Sequence, residues 1–314
     1  PHCKGISIFY TPIIEVIDIV PIERWVFWET YWISQMKTWG FDLVNNTLGG
    51  DGSTFGNLGS FKKGQGGKKV IGYRQAMTLP TQPKKMIVVG SGAIGVEFAH
   101  FYNSMGTEVT IVEFMPNVVP VEDIDVSKQF ERSLKKSGIN VMTSSSVESV
   151  DTSGKVVKAV VKTKKGEEIL EADIVLSAVG IKSNIENIGL EDVGIVTDRD
   201  KILVNDFYQT NIPGYYAIGD VTPGPALAHV ASAEGILCVE KIAGQHVEAI
   251  DYGNIPGCTY CTPEIASVGL TEAQAKDKGI DIKVGKFPFS ASGKASAGGH
   301  KEGFVKVIFD AKYG

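Results

Sequence analysis

No apolar run in this sequence approaches the roughly 18 residues that a membrane-spanning helix needs. Cysteine is scarce, with four in 314 residues, too few to suggest a disulfide scaffold. An excess of positive charge is also missing. Lys and Arg number 31 against 36 Asp and Glu, a net charge of −5, which leaves no electrostatic footprint for nucleic acid or an anionic membrane. The opening residues have neither the basic start nor the small-residue cleavage site of a secretory leader, so the cytoplasm is the expected compartment. Tryptophan is absent after Trp39, although Trp25, Trp28, Trp32 and Trp39 crowd the first 60 residues. A chain that starts at Pro1 and stops at Gly314, straight after an apparent strand, reads as a fragment.

Glycine, by contrast, is plentiful at 36 residues. Its most informative placement is Met86–Glu97, MIVVGSGAIGVE. A buried apolar run enters a turn carrying Gly90, Gly92 and Gly95, and a helix is expected from Ala93. A second apolar run, Val109–Val112, then ends in Glu113. Strand, glycine turn, helix, strand and terminal acid make a dinucleotide-binding fingerprint. Gly90 serves the tight turn, Gly92 lets backbone approach a pyrophosphate, and Gly95 lets helix and strand pack closely. The helix start, through Ser91, Ala93, Ile94 and Val96, offers amides to phosphate. Glu113 is expected to accept from the adenosine ribose hydroxyls and to repel a 2′-phosphate, which favours NAD over NADP. Glu97, one turn into the helix, is read either as a structural cap or as facing the nicotinamide.

Composition and punctuation divide the chain into five parts. These are a small α+β segment over 1–60, a linker over 61–80, a Rossmann-like NAD-binding domain over 81–197, and two later units over 198–250 and 255–314. Ile13–Val20 reads as a strand and Glu23–Trp39 as a helix. Phe61–Lys69, rich in Gly and Lys, is a solvated seam, and Ile71–Pro83 is a connector. Further along, Ala93–Met105 and Val121–Lys136 are expected as helices ended by Gly106 and Gly138. Ile139–Val150 is expected as one strand, and Val156–Thr163 with Glu168–Leu176 as a hairpin. Asp173–Gly180 and Gly214–Ile218 read as buried strands, the second placing Asp220 at its carboxyl end. A long helix follows from about Ala226 to Ala243. Thr271–Lys278 is expected as a helix and Phe304–Asp310 as a strand.

Two nucleotide signatures in series, GSGAIGVE and then YAIGDV with LAHVASAEG, resemble the flavoprotein disulfide reductases that bind two dinucleotides. The resemblance runs from about Lys68 to Gly314, and its detail is similar to members that oxidise dihydrolipoyl groups. It implies that Gly90–Glu97 and Glu113 bind NAD, with Val147 on the adenine side and the Gly180 backbone near the nicotinamide. It implies that Gly219 and Asp220 hold the flavin ribityl chain and that Ala226, Leu227, Ala228 and His229 lie against the flavin ring. The fold it implies is α/β, with a partial FAD-binding domain and a truncated dimerisation domain. The reaction it implies passes electrons from dihydrolipoamide through a disulfide to FAD and then to NAD⁺. The partners it implies are a second copy of the chain and a lipoyl-bearing carrier of a 2-oxo acid dehydrogenase or glycine cleavage complex. The family's first FAD segment, its redox cysteine pair and its histidine–glutamate base have no match here, so no catalytic residue is expected in this chain.

Other features have plainer readings. Cys258 and Cys261 form a CxxC in a strand context rather than at a helix start, and are read as structural thiols. Zinc would need two more ligands, and none is evident, so no metal site is expected. His229 and Glu234 have the spacing of the family's base pair but lie on the flavin-side helix. Cys3, Cys238, His100, His246 and His300 have no partner pattern. Residues about 5–52, through WETYWI and LVNNTLGG, resemble the C-terminal half of a GIY-YIG nuclease module, with Glu29 at the metal-binding position and Asn45 at the conserved asparagine. The tyrosine motifs and arginine of that family have no match upstream, so a tryptophan-rich partial core is expected. A DNA-cleaving fragment and a non-catalytic NAD(H)-binding remnant are the alternatives to the dehydrogenase.

Overall fold

The computed structural model describes the backbone of residues 4–10 and 14–21 and the whole of 69–313. The chain divides into two units, Pro1–Asp51 and Gly52–Gly314. In the first, β1 (Lys4–Tyr10) pairs antiparallel with β2 (Ile14–Pro21). The second strand meets the expectation for Ile13–Val20, whereas β1 was not foreseen. The Glu23–Trp39 helix, Glu29, Asn45 and the Gly/Lys seam up to residue 68 lie outside the described residues.

The second unit is built on a five-stranded parallel sheet. Its strands are β3 (Val70–Ile71), β4 (Lys85–Val89), β5 (Glu108–Val112), β6 (Asn140–Met142) and, from later in the chain, Ile174–Ser177. The spatial order places Ile174–Ser177 between β3 and β4, with β5 and β6 beyond β4. Alternation along β4 explains why this sheet is buried on both faces. Met86 and Val88 point to one core, shared with Val96, Ala99, Phe130 and Leu134. Those last four come from α2 (Ala93–Ser104) and α3 (Ile124–Lys136), which follow the short α1 (Tyr73–Met77). Ile87 and Val89 point to a second core, against the antiparallel sheet β7 (Ser146–Asp151), β8 (Val157–Thr163) and β9 (Gly166–Ala172). Each fully buried aliphatic side chain of this kind contributes about 1.5–3 kcal/mol of transfer free energy. Helix α3 begins at Ile124 and not at the expected Val121, because the Asp123 carboxylate caps it by accepting from the Asp125 amide at 3.0 Å.

Several elements differ from the sequence reading, each for a local reason. The supposed connector at Ile71–Pro83 takes in the end of β3, an edge strand of the main sheet, and all of α1. Ile139–Val150 is two strands in different sheets. The break falls at Ser144, whose φ of +50° turns the chain, and the Ser144 and Ser145 amides donate to the Met115 and Glu113 carbonyls. Glu168–Leu176 likewise joins two strands: antiparallel β9 ends at Ala172, and β10 (Ile174–Ser177) runs parallel to β4. Asp173 marks the joint, its Oδ2 accepting from the Lys84 and Lys85 amides at 2.8 and 3.0 Å.

Gly214–Ile218 forms no strand. Among the described residues it makes a single bridge, Gln209 to Tyr216, and Tyr215, Tyr216 and Ile218 remain exposed. An apolar run becomes a strand only when a neighbour supplies a ladder of donors and acceptors, and here the neighbour is a short loop. Asp220 therefore sits in a single 3-10 turn, Gly219–Val221, instead of at a strand end.

The rest follows in order. Short α4 (Leu190–Val193) leads to the two-residue strands β11 (Thr197–Asp198) and β12 (Lys201–Ile202), and then to α5 (Ala228–Ile242). A final group comprises β13 (Gly257–Thr259), β14 (Ile265–Ser267), α6 (Glu272–Asp277), β15 (Ile282–Pro288), α7 (Gly293–Gly298) and β16 (Phe304–Asp310). Thr271 caps α6 in a reciprocal box with Gln274. Lys306 of β16 fastens this group to the start of α3 through Asp123 and Asp125, and also meets Glu272 of α6. Among the described residues, no helix is long and apolar enough to cross a membrane.

Candidate nucleotide-binding site

The glycine turn joins β4 to α2 at the carboxyl ends of the parallel strands, where β5 lies on one side of β4 and β10 on the other. Each glycine has its own physical reason. Gly90 has φ of +100°, and a Cβ there would lie 2.7 Å from the Ala178 carbonyl oxygen. A Cβ on Gly95 would stand 2.1 Å from the Gly90 carbonyl oxygen, so the helix can lie this close to the turn only without a side chain. Gly92 is different: nothing lies within 4 Å of its Cβ position. That open space is where another molecule can reach the backbone.

Helix α2 has no side-chain cap. Its first intrahelical bond runs from the Val96 amide to the Gly92 carbonyl, leaving the amides of Ala93, Ile94 and Gly95 without an intrahelical acceptor. Donors at a helix start, beside an open approach, fit a pyrophosphate.

Glu113 is 6% exposed and occupied more fully than expected. Its Oε2 accepts from the Ser91 amide at 2.7 Å and the Ser91 hydroxyl at 2.6 Å, and its Oε1 from the Met115 amide at 2.7 Å. A carboxylate offers about four acceptor positions, so one remains for a ribose hydroxyl. The acid thus also fixes the glycine turn through Ser91.

Val147 is buried among Val112, Val157 and Val161. Gly180, with φ of +136° and open surroundings, lies just past β10 beside the turn. Glu97 accepts from the Tyr260 amide at 2.7 Å through Oε1. It also lines a hollow of about 540 Å³ with Phe98, Phe101, Tyr102 and Met105, on a face of α2 away from the glycine turn.

The second constellation lies around Gly219–Val221. The Asp220 side chain is exposed, and α5 starts at Ala228 without a side-chain cap. Ala226, Ala228 and His229 are also exposed. These features fit a second phosphate- and hydroxyl-bearing ligand. Glu234 does not pair with His229. It is 2% exposed and accepts from the Gly219 amide and the Tyr252 hydroxyl, each at 2.6 Å. Sequence reasoning missed this role, and also Tyr252, Tyr208, Ser183 and Lys201, which surround the same turn. One signal was present: Glu234 interrupts the buried stripe Val230, Leu237 and Cys238 of α5, and a carboxylate in such a stripe needs a partner.

Cys258 is exposed and Cys261 buried. Burial, with Glu97 and Glu264 adding to it, pushes the Cys261 thiol up to about 12. A pair with one inert thiol is not a dithiol redox centre. Iodoacetamide at pH 8 is therefore expected to label Cys258 in the native chain and spare Cys261, as read by peptide mass spectrometry. Equal labelling of both would overturn that assignment. Among the described residues no group of His, Cys, Asp and Glu could hold a metal ion.

Known proteins are similar to this chain across both constellations. The pyridine nucleotide-disulphide oxidoreductase pattern matches residues 47–235, and the dimerisation domain of the same proteins matches residues 255–314. The chain belongs to the pyridine nucleotide-disulphide oxidoreductase family. Neither matched pattern is a nuclease, and nothing supports the GIY-YIG likeness. Within the family, the dihydrolipoyl dehydrogenase of Rhizobium etli is 50% identical over 250 residues, covering 79% of this chain and 52% of that protein. The Zymomonas mobilis dihydrolipoyl dehydrogenase is 45% identical, covering 79% and 54%. Among solved structures, LpdA from Mycobacterium tuberculosis superposes with a TM-score of 0.72 at 28% identity, covering 79% of this chain and 53% of that one. The HOCl-induced flavoprotein disulfide reductase RclA from Escherichia coli gives 0.72 at 27% identity, covering 78% and 56%. The chain spans about half the length of the curated relatives it matches.

Proposed function

We propose that this chain is the NAD-binding and flavin-facing part of a dihydrolipoyl dehydrogenase, which oxidises dihydrolipoamide with NAD⁺ through FAD. The observation that carries the reading is the Gly90–Gly95 turn. Two of its glycines are enforced by contacts below 3 Å, while the third opens onto empty space beside uncapped amides. Identity of 45–50% to dihydrolipoyl dehydrogenases over this same stretch supports the choice within the family.

In this reading the Gly90–Val96 turn takes the pyrophosphate of NAD through the open backbone at Gly92 and the amides of Ala93, Ile94 and Gly95, while Ser91 and Val96 are buried supports whose amides are already bonded, and Glu113 takes a ribose hydroxyl. The Val147 backbone meets the adenine side, and Gly180 lies near the nicotinamide. Glu97, whose Oε1 accepts from the Tyr260 amide, faces the nicotinamide side with its other oxygen. Gly219, Asp220 and Ala226–His229 face FAD, which supplies the two-electron chemistry between thiols and nicotinamide when bound. The domain limits follow: 81–197 for NAD, joined by β3 from the preceding segment, 198–250 for part of the FAD domain, and 255–314 for dimerisation. The matched dimerisation domain supports a homodimer. The substrate partner is a lipoyl-bearing carrier protein of a 2-oxo acid dehydrogenase or glycine cleavage complex. The location in this reading is the cytoplasm, while the relatives from Arabidopsis thaliana and Pisum sativum are named as mitochondrial.

Calorimetry on the purified chain tests the nucleotide site. NADH is expected to bind more tightly than NADPH, because Glu113 repels a 2′-phosphate. Glu113→Ala is expected to weaken NADH by about tenfold, the equivalent of 1.4 kcal/mol. An unchanged NADH affinity in Glu113→Ala would sink the ribose contact. Flavin absorbance together with NADH-dependent lipoamide reduction tests the activity itself.

A further inference from the structure

The Gly219–Val221 turn is unusually completely held for a loop. The Gly219 amide donates to Glu234 Oε2 at 2.6 Å, and the Gly219 carbonyl accepts from the Thr222 amide and hydroxyl, both at 2.8 Å. The Asp220 carbonyl accepts from the Ser183 hydroxyl at 2.6 Å and from Lys201 Nζ at 2.5 Å. Lys201 Nζ reaches the Ser183 hydroxyl as well, at 3.0 Å, and the Ser183 amide donates to Asp200 Oδ2 at 2.8 Å. On the far side, Glu234 Oε1 accepts from the Tyr252 hydroxyl, which lies 3.0 Å from the Tyr208 hydroxyl. What stays open is the Asp220 carboxylate.

We infer that Lys201 and Glu234 are positioning residues that grip this turn from opposite sides and aim the Asp220 carboxylate at a ribityl-type polyol. The inference rests on the flavin-facing reading of Asp220. Ser183 lies three residues past Gly180, so Lys201 ties the turn to the loop on the nicotinamide side of the chain. Glu234 ties it to α5, whose first turn carries Ala228 and His229. Tyr252 and Tyr208 complete the grip by satisfying the second oxygen of a carboxylate that burial would otherwise leave with a large desolvation cost. Burial first, and then the Glu234 hydrogen bond, raises the Tyr252 phenol, so it remains a donor across the ordinary pH range. Hydrogen bonds to charged groups are the strong ones, and this turn has one from each side.

The test uses the full chain, labelled with ¹⁵N, as wild type, Lys201→Met, Glu234→Leu and Glu234→Gln. FAD binding is followed by quenching of flavin fluorescence, NADH binding by calorimetry, and the Gly219 and Val221 amides by NMR. Loss of one charge-assisted hydrogen bond predicts FAD binding weakened by about tenfold in Lys201→Met and Glu234→Leu. NADH affinity is expected to stay within about twofold, since 1.4 kcal/mol of lost contact is needed for a tenfold change. Glu234→Leu should move the Gly219 amide proton upfield. Lys201→Met should move the Val221 amide nitrogen, which shares a peptide group with the Asp220 carbonyl. Glu234→Gln should restore both FAD affinity and the Gly219 proton, because a glutamine can accept from Gly219 and donate to Tyr252. Unchanged FAD affinity in both disruptive variants overturns the inference, and so does a glutamine variant as weak as the leucine. If the wild-type chain takes up no FAD, the flavin-site reading fails on its own. The grip is then judged by the amides, and a Gly219 proton unmoved in Glu234→Leu overturns it.

Discussion

Gly95→Ala is expected to abolish measurable NADH binding and to destabilise the fold by about 3 kcal/mol, the upper range for overpacking a tight contact. The added methyl would sit 2.1 Å from the Gly90 carbonyl oxygen and 3.0 Å from its carbon, both backbone atoms that cannot rotate away. Relief requires α2 to lift from the turn, and that movement displaces the amides of Ala93–Gly95 from the phosphate position. Gly92→Ala is the matched control. Gly92 has φ of −65°, and its Cβ position is empty, so stability should be unchanged or raised by up to about 1 kcal/mol. NADH affinity should nevertheless fall by about tenfold, because the methyl occupies the approach to the backbone. Urea denaturation paired with calorimetry separates the two effects. A Gly92→Ala chain that binds NADH normally would remove the pyrophosphate from this turn.

The second large effect is expected at Lys306. Its side chain is 5% exposed and meets Asp123 at 2.8 Å, Asp125 at 3.1 Å and Glu272 at 2.7 Å. Burial works against its charge, but the hydrogen bonds to these carboxylates outweigh burial and hold the ammonium above its ordinary range. Lys306→Met leaves Asp123 without a cation and Asp125 and Glu272 with only the exposed Lys286 and Lys276, and should cost about 3 kcal/mol, as for other broken buried ion pairs. Urea denaturation at pH 7 measures it, and a loss below about 0.5 kcal/mol, the range of ordinary surface substitutions, would refute the role.

The same cluster sets a pH dependence. Burial raises Asp123, but hydrogen bonds from Lys306 and from the Asp125 and Glu272 amides lower it further, for a net depression. Glu272 is depressed by its hydrogen bonds to Lys276 and Lys306. Groups with depressed folded values contribute stability above their unfolded values, 3.8 for Asp and 4.5 for Glu, and lose it as pH falls through the folded ones. Wild-type stability should therefore be level near neutrality and decline below about pH 4. Lys306→Met should show a shallower decline.

Much of the candidate nucleotide site was legible in the sequence because its constraints are local. Gly90, Gly92 and Gly95 lie within six residues, and their spacing reflects one turn and the first turn of one helix. Glu113 was legible as the residue closing the next strand, though its hydrogen bonds to Ser91 were not, since they depend on how β4 and β5 align. The Asp220 turn was read for its carboxylate but not for its supports. Ser183, Lys201, Glu234 and Tyr252 are spread over 70 residues of chain, and no spacing rule connects them. The strand errors have the same origin. Ser144 and Asp173 redirect the chain because distant carbonyls and amides receive them, and local propensity carries no record of those partners.

By itself the sequence determined the α/β class, the apolar runs that become β4, β5 and β10, the helices α2 and α3, and the nucleotide turn between the first two strands. These depend on periodicity, on capping residues such as Asp123 and on glycine sterics, all of which act within a few residues. Only the tertiary structure decided that β3 edges the main sheet, that Gly214–Ile218 stays out of any sheet, and that Lys306 and Glu234 each satisfy buried charge across long stretches of chain. Strand pairing and buried ion pairs are interactions between segments remote in sequence. Their energy exists only once the chain has brought those segments together.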